Sequence, residues 1–316
     1  MENTIKFGIS ACLLGQKVRY DGGHKLDLFL RDTLGQYVEY LPVCPEVECG
    51  LSVPREPMRL VGDPNAPRLV TIRGNYDYTP KMTQWAKMRL DTLKRRGLSG
   101  FILKSNSPSC GLKGVKIHHE NGRGIRKGRG IFAGLFVKHF PIIPSEEETL
   151  LHNPILREDF IERAFTIRRW LEVSSRKRSF KKLVDFHCSH RLLILSRSRE
   201  HLGIMERVIK TEKRVSVREL YDLYEELLTE SLKRKTTPRK NVRVLQRAVG
   251  YLGKDLAEGE KQELIEVTQA YGECQVPLLV PITLFNHFAR KYDCHDLSRQ
   301  VFLRPHPAEL HLRNHA

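Results

Sequence analysis

The feature that most constrains the fold is a change in hydrophobic pattern near the middle of the chain. Up to about residue 150, short apolar runs of strand length alternate with stretches that have helical spacing. The predicted strands are IKFGIS (5–10), VEYLPV (38–43), RLVTIR (68–73) and GFILK (100–104), and an amphipathic helix is predicted over 79–97 with Gly97 as its C-cap. This alternation predicts an α/β domain with a mostly parallel sheet in Rossmann-like layers.

The second half of the chain keeps helical spacing throughout, and no convincing alternating strand interrupts it. Helices are predicted over 156–173, 180–198, 216–233, 241–256 and 259–272. The sequence therefore predicts two domains, an α/β domain of residues 1–165 and a mostly α-helical domain of residues 166–316.

The charge of the chain is strongly positive. Lys and Arg number 54 against 37 Asp and Glu, which gives a net charge of +17, and residues 166–316 contribute +10 of it (29 basic minus 19 acidic). A surplus of this size favours an anionic partner such as RNA, DNA or a membrane face. There is no apolar run of 18 residues and no leader-like start, so we expect a cytoplasmic protein that does not span a membrane.

Three segments concentrate the positive charge: NGRGIRKGRG (121–130), RKRSFKK (176–182) and KRKTTPRK (233–240). Such segments suit contacts with phosphates, although each could also be a solvated face without a partner. The candidate RNA-binding residues are Arg123, Arg126, Lys127, Arg129, Arg176, Lys177, Arg178, Lys181, Lys182, Lys233, Arg234, Lys235, Arg239 and Lys240.

The seven cysteines are an odd number, which in a reducing compartment argues against a disulfide framework and favours metal-binding or catalytic thiols. Cys12, Cys44 and Cys110 each follow a predicted strand and stand near Gly or Pro. Because the carboxyl ends of parallel strands meet at one edge of a sheet, we expect these three to converge. The remaining thiols outside these loops, expected to be buried small apolar side chains, are Cys188, Cys274 and Cys294.

The segments around these cysteines carry a family resemblance. ISACLLG (9–15) with RYDGG (19–23), VCPEVECGLSVPREP (43–57) and LKSNSPSCG (103–111) resemble the signature of the thiouracil desulfidase (TudS) family. The second half resembles the helical YbgA-like domain through LVDFHCSHRLLILSRS, NVRVLQ, GYLGK, PLLVPITLFNHF and LRPHPAELHLR. The two-domain arrangement is similar to that of bacterial desulfidases that remove sulfur from 4-thiouridine in tRNA.

The resemblance implies a [4Fe-4S] cluster that Cys12, Cys44 and Cys110 hold, with one iron open. It also implies that Glu46 and Ser107 are catalytic, and that Cys49 is an extra thiol or a substitute ligand. An open iron is a Lewis acid with affinity for thiocarbonyl sulfur, and a carboxyl group can take a proton from water and return it. The implied net reaction converts a thiocarbonyl and water into a carbonyl and hydrogen sulfide without electron transfer.

The substrate and its pocket leave alternatives open. Tyr20, Asp21, Arg55 and Lys104 are candidate substrate-binding residues, although Asp21 in YDGG could equally be a turn residue. The implied substrate is 4-thiouridine in tRNA, and the alternatives are free thiouracil or thiouridine nucleotides, or a non-catalytic RNA-binding protein with a structural metal site. A second metal site is not expected at His187, His190 and His201, because they lack an acidic partner at fixed spacing.

Overall fold

The computed structural model describes residues 5–118, 124–175, 177–210, 215–253, 255–310 and 312–314. It divides into two compact units, Met1–Phe160 and Ile161–Ala316. The division falls inside one helix, Pro154–Ser175, which also contains the predicted domain boundary at 165/166.

The first unit is built on a fully parallel four-stranded sheet. Its strands are β1 (Ile5–Ser10), β2 (Val38–Val43), β5 (Gly100–Leu103) and β8 (Ser145–Glu147), in the order β2-β1-β5-β8. β1 and β5 lie in the middle, and the side chains of Phe7, Ile9, Phe101 and Ile102 are fully buried. The α/β prediction for this half is therefore confirmed.

A second sheet in the same unit holds the strand predicted at 68–73. It consists of β3 (Met58–Val61), β4 (Arg68–Thr71), β6 (Val115–His118) and β7 (Gly124–Gly128), in the order β4-β3-β6-β7. β3 pairs antiparallel with β4 and parallel with β6. Hydrophobic periodicity identified β4, but a period of two says nothing about which sheet a strand joins.

The described part of the first unit has three complete α-helices, besides shorter 3-10 and π turns: α1 (Pro45–Glu48), α2 (Thr79–Arg96) and α3 (Ile131–His139). α2 buries Met82, Ala86, Leu90 and Leu93, which share one helical face. It ends at Gly97, whose φ of 71° is the left-handed conformation that glycine adopts without a steric cost. This helix and its C-cap agree with the sequence prediction.

The second unit is helical throughout its described part, as predicted. Its helices are α4 (Pro154–Ser175, shared with the first unit), α5 (Phe180–Arg197), α6 (Arg199–Lys210), α7 (Val217–Leu232), α8 (Pro238–Leu252), α9 (Glu258–Gly272), α10 (Leu279–Lys291) and α11 (His295–Ser298). Trp170 of α4 lies at the centre, stacked on Tyr224 at a centroid distance of 5.2 Å. The sequence prediction ends one helix at Ser198, which separates α5 from α6, and it contains no helix at α6, α10 or α11.

A buried ion-pair triad joins three parts of this unit. Glu162 accepts hydrogen bonds from Nη2 of Arg197 at 2.6 Å and from Nη2 of Arg313 at 2.7 Å, and all three side chains are almost fully buried. Burial alone would raise the pKa of Glu162, but the two guanidinium groups outweigh it and lower that pKa to about 2. The carboxylate is thus held in its charged form at neutral pH.

None of the helices in the described part of the chain combines the length and apolar character that a membrane-spanning segment needs.

Candidate active site

The three predicted thiols converge at the carboxyl edge of the parallel sheet. Cys12 lies in a short 3-10 helix, Ala11–Leu14, directly after β1; Cys44 is the N-cap of α1 directly after β2; and Cys110 lies in the loop after β5. All three line one cavity of about 350 Å³. The convergence expected from strand topology is therefore observed.

The protein environment favours the protonated form of each thiol. Burial raises the pKa of Cys12 to about 11, and the charge of Cys44 acts in the same direction. Burial also raises the pKa values of Cys44 and Cys110. A metal group bound here must therefore displace protons from the sulfur atoms, because thiolates are the ligating form.

Glu46 lines the same cavity and is held by two partners. Nε of Arg55 donates to its Oε2 at 2.9 Å, and a second guanidinium nitrogen of Arg55 contacts the same oxygen. Ser109 Oγ donates to its other oxygen, Oε1, at 2.8 Å. Both carboxylate oxygens are thus fixed while the side chain still faces the cavity.

Arg55 is built into the wall of the cavity. Its Nη2 donates to the carbonyl of Val18 at 2.9 Å, and its backbone N–H donates to the carbonyl of Tyr20 at 2.9 Å. Its side chain is only 7% exposed. Arg55 therefore ties the segment after Cys12 to the carboxylate of Glu46.

Ser107 starts the turn that presents Cys110. Its Oγ accepts hydrogen bonds from the backbone N–H groups of Ser109 at 3.2 Å and Cys110 at 3.0 Å. Within the described part of the chain its hydroxyl hydrogen has no acceptor, and the residue lines the cavity. The hydroxyl is therefore available to donate to a bound molecule.

Two adjacent carboxylates hold the ends of the loop that carries Cys110. Oε2 of Glu148 accepts from the N–H of Ser105 at 2.7 Å, and Oε1 of Glu147 accepts from the N–H of Leu112 at 2.7 Å. Lys104, which lines the cavity, is also in an ion pair with Glu148. The loop is therefore fixed on both sides of its cysteine.

The other predicted pocket residues have different surroundings. Tyr20 lines the cavity and is 42% exposed, so it can contact a ligand. Asp21 is exposed and accepts from the N–H of Gly23 at 3.0 Å, which is the turn interaction that was the alternative for it. Cys49 packs in an apolar cluster with Leu60 and Met82, and is not among the residues lining the cavity.

Within the described residues, no group of three or more His, Cys, Asp or Glu side chains has an arrangement suited to a single metal ion. The three cysteines of the cavity come from three separate segments of the chain. The ring nitrogens of His187, His190 and His201 contact, respectively, Tyr224 Oη at 3.1 Å, the Phe186 carbonyl at 2.8 Å and Ser198 Oγ at 2.8 Å.

The expectation that the three remaining thiols are buried is wrong for two of them. Cys188 and Cys274 are exposed, and Cys294 is partly buried. Cys188 is an exposed residue of α5, and Cys274 lies in the turn after α9 with a φ of 59°. Sequence pattern places a residue in a helix or turn without fixing its exposure.

The candidate RNA-binding residues divide into three groups. Arg123 and Arg176 lie outside the described residues, as does the side chain of Arg126, whose backbone is part of β7. Arg178 and Lys233 form ion pairs with Asp222 at 3.0 Å and Glu230 at 2.6 Å. The remainder are exposed or partly exposed: Lys127, Arg129, Lys177, Lys181, Lys182, Arg234, Lys235, Arg239 and Lys240.

Sequence reasoning missed three side chains that shape this site, Ser109, Glu147 and Glu148. Ser109 stands next to Cys110 and two residues after Ser107, so the SPSC motif contained the only available signal. Glu147 ends β8, the fourth strand of the parallel sheet, and Glu148 follows it directly; this strand was not predicted. Placing that strand at the sheet edge would have identified them, because it brings them to the same loops.

The fold and the site define an α/β domain with a thiol-lined pocket at the carboxyl edge of its parallel sheet. Residues 7–148 match the family model for 2-thiouracil desulfurase, and residues 191–307 match a model described as a protein of unknown function (DUF1722). The uncharacterized protein YbbK of Bacillus subtilis (strain 168) is 32% identical over 146 residues, which cover 44% of this chain and 95% of YbbK. The chain therefore belongs to the 2-thiouracil desulfurase family through its first unit.

Two further proteins are similar to this chain. The uncharacterized protein YbgA of Escherichia coli (strain K12) is 25% identical over 133 residues, covering 42% of this chain and 79% of YbgA. A solved structure of the [4Fe-4S]-dependent thiouracil desulfidase TudS is 35% identical and superimposes with a TM-score of 0.39, covering 47% of this chain and 93% of that protein.

Proposed function

We propose that the protein is a desulfidase that converts 4-thiouridine in tRNA to uridine and releases hydrogen sulfide. The observation that carries this proposal is the meeting of Cys12, Cys44, Cys110 and Glu46 around one cavity. Family membership supplies the reaction class, since the matching family model describes a 2-thiouracil desulfurase.

The residues present fit a [4Fe-4S] cluster that three thiolates hold. The three cysteines come from three separate loops, and iron–sulfur clusters in proteins are bound by such thiolates. Arg19, Lys25 and Lys104 line the same cavity and supply positive charge toward an anionic group. Three ligands for four irons leave one iron without a protein ligand.

When bound, an iron with an open coordination position supplies Lewis-acid affinity for a thiocarbonyl sulfur. Glu46 accepts a proton from the water that attacks C4 of the pyrimidine and passes it to the sulfur, and it then transfers the proton of the resulting C4 hydroxyl to the departing sulfur in the same way. Arg55 and Ser109 hold both oxygens of Glu46 in place for this transfer. Ser107 donates a hydrogen bond from its hydroxyl group to the substrate. The two protons of water leave with the sulfur as hydrogen sulfide, and no electrons are exchanged.

The proposal that the substrate is tRNA, and not a free base, rests on the charge of the chain. A free base carries no phosphate, and a tRNA carries one for each nucleotide, so a chain with a net charge of +17 favours the polymer. The second unit, with its exposed lysines and arginines, is the part we assign to RNA contact.

The second candidate substrate is a free thiolated pyrimidine, because the description of the matching family names the free base 2-thiouracil. The cavity of about 350 Å³ falls in the range of small-molecule sites. Both candidate substrates would use the same three thiols and the carboxylate of Glu46. They differ only in whether the rest of a tRNA contacts the protein outside the cavity.

The testing experiment incubates anaerobically reconstituted protein with tRNA that contains 4-thiouridine, and in parallel with free 4-thiouracil. Sulfide release and the nucleoside composition of the digested tRNA are measured. Conversion to uridine within the tRNA is the expected result. Conversion of the free base alone would transfer the proposal to the second candidate, and conversion of neither would leave a binding protein with a metal site.

A further inference from the structure

The second unit contains a cavity of about 690 Å³ that is lined mainly by basic side chains. It lies where α5 ends and α6 begins, and α8 and the segment before it complete it. The six basic residues that line it are Arg197, Arg199, Arg234, Lys240, Arg243 and Arg247, and Glu200 is the one acidic residue among those lining it. We call it the basic cavity.

Two of these cations have partners within the protein. Arg197 is buried and donates to Glu162 at 2.6 Å. Lys240 donates through Nζ to the carbonyls of Arg197 at 2.9 Å and Lys235 at 2.7 Å. These contacts hold the two side chains in place at the cavity.

The other four cations, Arg199, Arg234, Arg243 and Arg247, are exposed. Across the described ranges of the chain, none of their side chains forms an ion pair or a hydrogen bond. Arg243 and Arg247 are one helical turn apart on α8, where like charges repel and destabilise a helix. The six cations that line the cavity outnumber its one acidic residue, Glu200, so an external anion is the natural partner.

Backbone dipoles add to the positive potential. α6 begins at Arg199, which lines the basic cavity, and the N-terminal end of a helix carries a partial positive charge. Burial lowers the pKa of Lys240, and the charges of Arg197 and Arg234 act in the same direction, in accord with a dense group of cations.

We propose that the basic cavity binds phosphate groups along the backbone of an RNA strand. The proposal rests on tRNA being the substrate, as proposed above, and adds to it the place where the strand is held. A strand suits this site better than a single phosphate, because the cations come from three separate segments and extend over successive turns of α8. Arginine is the residue that pairs phosphate through two parallel N–H groups.

The test compares the full-length, reconstituted protein with the double variant Arg243→Gln/Arg247→Gln. The probe is a fluorescently labelled, unmodified tRNA transcript, and its dissociation constant is measured over a series of KCl concentrations. We expect the variant to bind about tenfold more weakly near physiological salt. The slope of log K against log salt should fall by about 1.5, because two phosphate contacts are lost.

The matched control is Arg207→Gln/Lys210→Gln, which removes the same net charge from exposed positions of α6 outside the basic cavity. The control should keep nearly all of the affinity, and both variants should keep turnover of free 4-thiouracil. Equal losses in the two variants, or unchanged binding in the first, would overturn the assignment of the basic cavity alone. A wild-type protein that desulfurises free 4-thiouracil but binds no tRNA would overturn the tRNA substrate together with this assignment.

Discussion

Arg55 and Glu46 form the ion pair that fixes the carboxylate in the thiol-lined cavity, with Nε of Arg55 donating to Oε2 of Glu46 at 2.9 Å. The same guanidinium donates to the carbonyl of Val18, so the ion pair also joins two of the three segments that carry the cysteines. Arg55 therefore helps to position the proposed proton carrier and also holds one wall of the cavity in place.

Replacing Glu46 removes the group that we expect to carry the proton. Glu46→Gln keeps the size of the side chain and loses its basicity, so turnover should fall by about 10² to 10⁴. Iron and sulfide content after reconstitution should equal that of the wild type, because the three cysteines are untouched. Glu46→Ala should behave alike, and retention of turnover in either variant would disprove the proton role.

Arg55 is expected to act through Glu46 as a positioning residue. Arg55→Lys keeps the charge but loses the two-nitrogen contact, so kcat should fall about tenfold, and Arg55→Ala should lower it by about a hundredfold. KM should change much less than kcat in both variants. A change confined to KM would instead assign Arg55 to substrate binding.

Gly130 is expected to be necessary for the loop that carries Cys110. A Cβ at Gly130 would lie 2.5 Å from the carbonyl carbon of Ser109 and 2.8 Å from the N atom of Cys110. Gly130→Ala should therefore displace that loop, lower stability by about 1–3 kcal/mol and reduce the iron bound after reconstitution.

The matched control for that loop is Gly134→Ala, four residues later within α3. Among the described residues beyond the backbone of α3 itself, a Cβ there comes within 4 Å of the Arg129 side chain alone, at 3.8 Å. The change should leave iron content unaltered and raise stability by about 0.5–1 kcal/mol, because alanine is the better helix former. The melting temperature and the iron-to-protein ratio of the two variants decide the comparison.

The buried triad of Glu162, Arg197 and Arg313 predicts a pH dependence of stability in the second unit. The pKa of Glu162 is lowered from 4.5 to about 2 in the folded state, so its stabilising effect is present above pH 4.5 and is lost as the pH falls toward 2. Glu162→Gln should destabilise the protein by about 3–5 kcal/mol at pH 7, because it removes the carboxylate that neutralises two buried guanidinium groups.

The difference between wild type and Glu162→Gln should shrink on acidification. Between pH 4.5 and 3 it should narrow by roughly 2 kcal/mol, the linkage expected from one carboxyl group. Unfolding followed by far-UV circular dichroism at several pH values measures it, and other titrating groups largely cancel in the difference. A difference independent of pH would show that the lowered pKa is wrong.

Lys181 and Lys182 lie on the first turn of α5, exposed and N-terminal to the histidine-containing part of that helix. If they contact RNA, reversing both charges should weaken tRNA binding and flatten its salt dependence. Lys182 also donates to the carbonyl of Lys177 at 3.0 Å, so circular dichroism should accompany the binding assay. Unchanged affinity would remove this patch from the RNA contact surface.

The convergence of Cys12, Cys44 and Cys110 could be predicted because it follows from strand order in a parallel sheet. The partners of Glu46 could not be predicted from pattern, because Arg55 reaches it only after the chain reverses beyond α1 and Ser109 comes from the loop after β5. Periodicity reports which face of an element is buried, and these contacts depend on where loops turn. For the same reason, the sequence pattern did not predict that Cys188 is exposed.

Glu147 and Glu148 bear on how the protein matures after synthesis. They hold both ends of the loop between Ser105 and Leu112 through hydrogen bonds within the protein, which do not require a bound inorganic group. Because these hydrogen bonds already restrict the backbone of the loop, binding of an iron–sulfur group there should cost little conformational entropy.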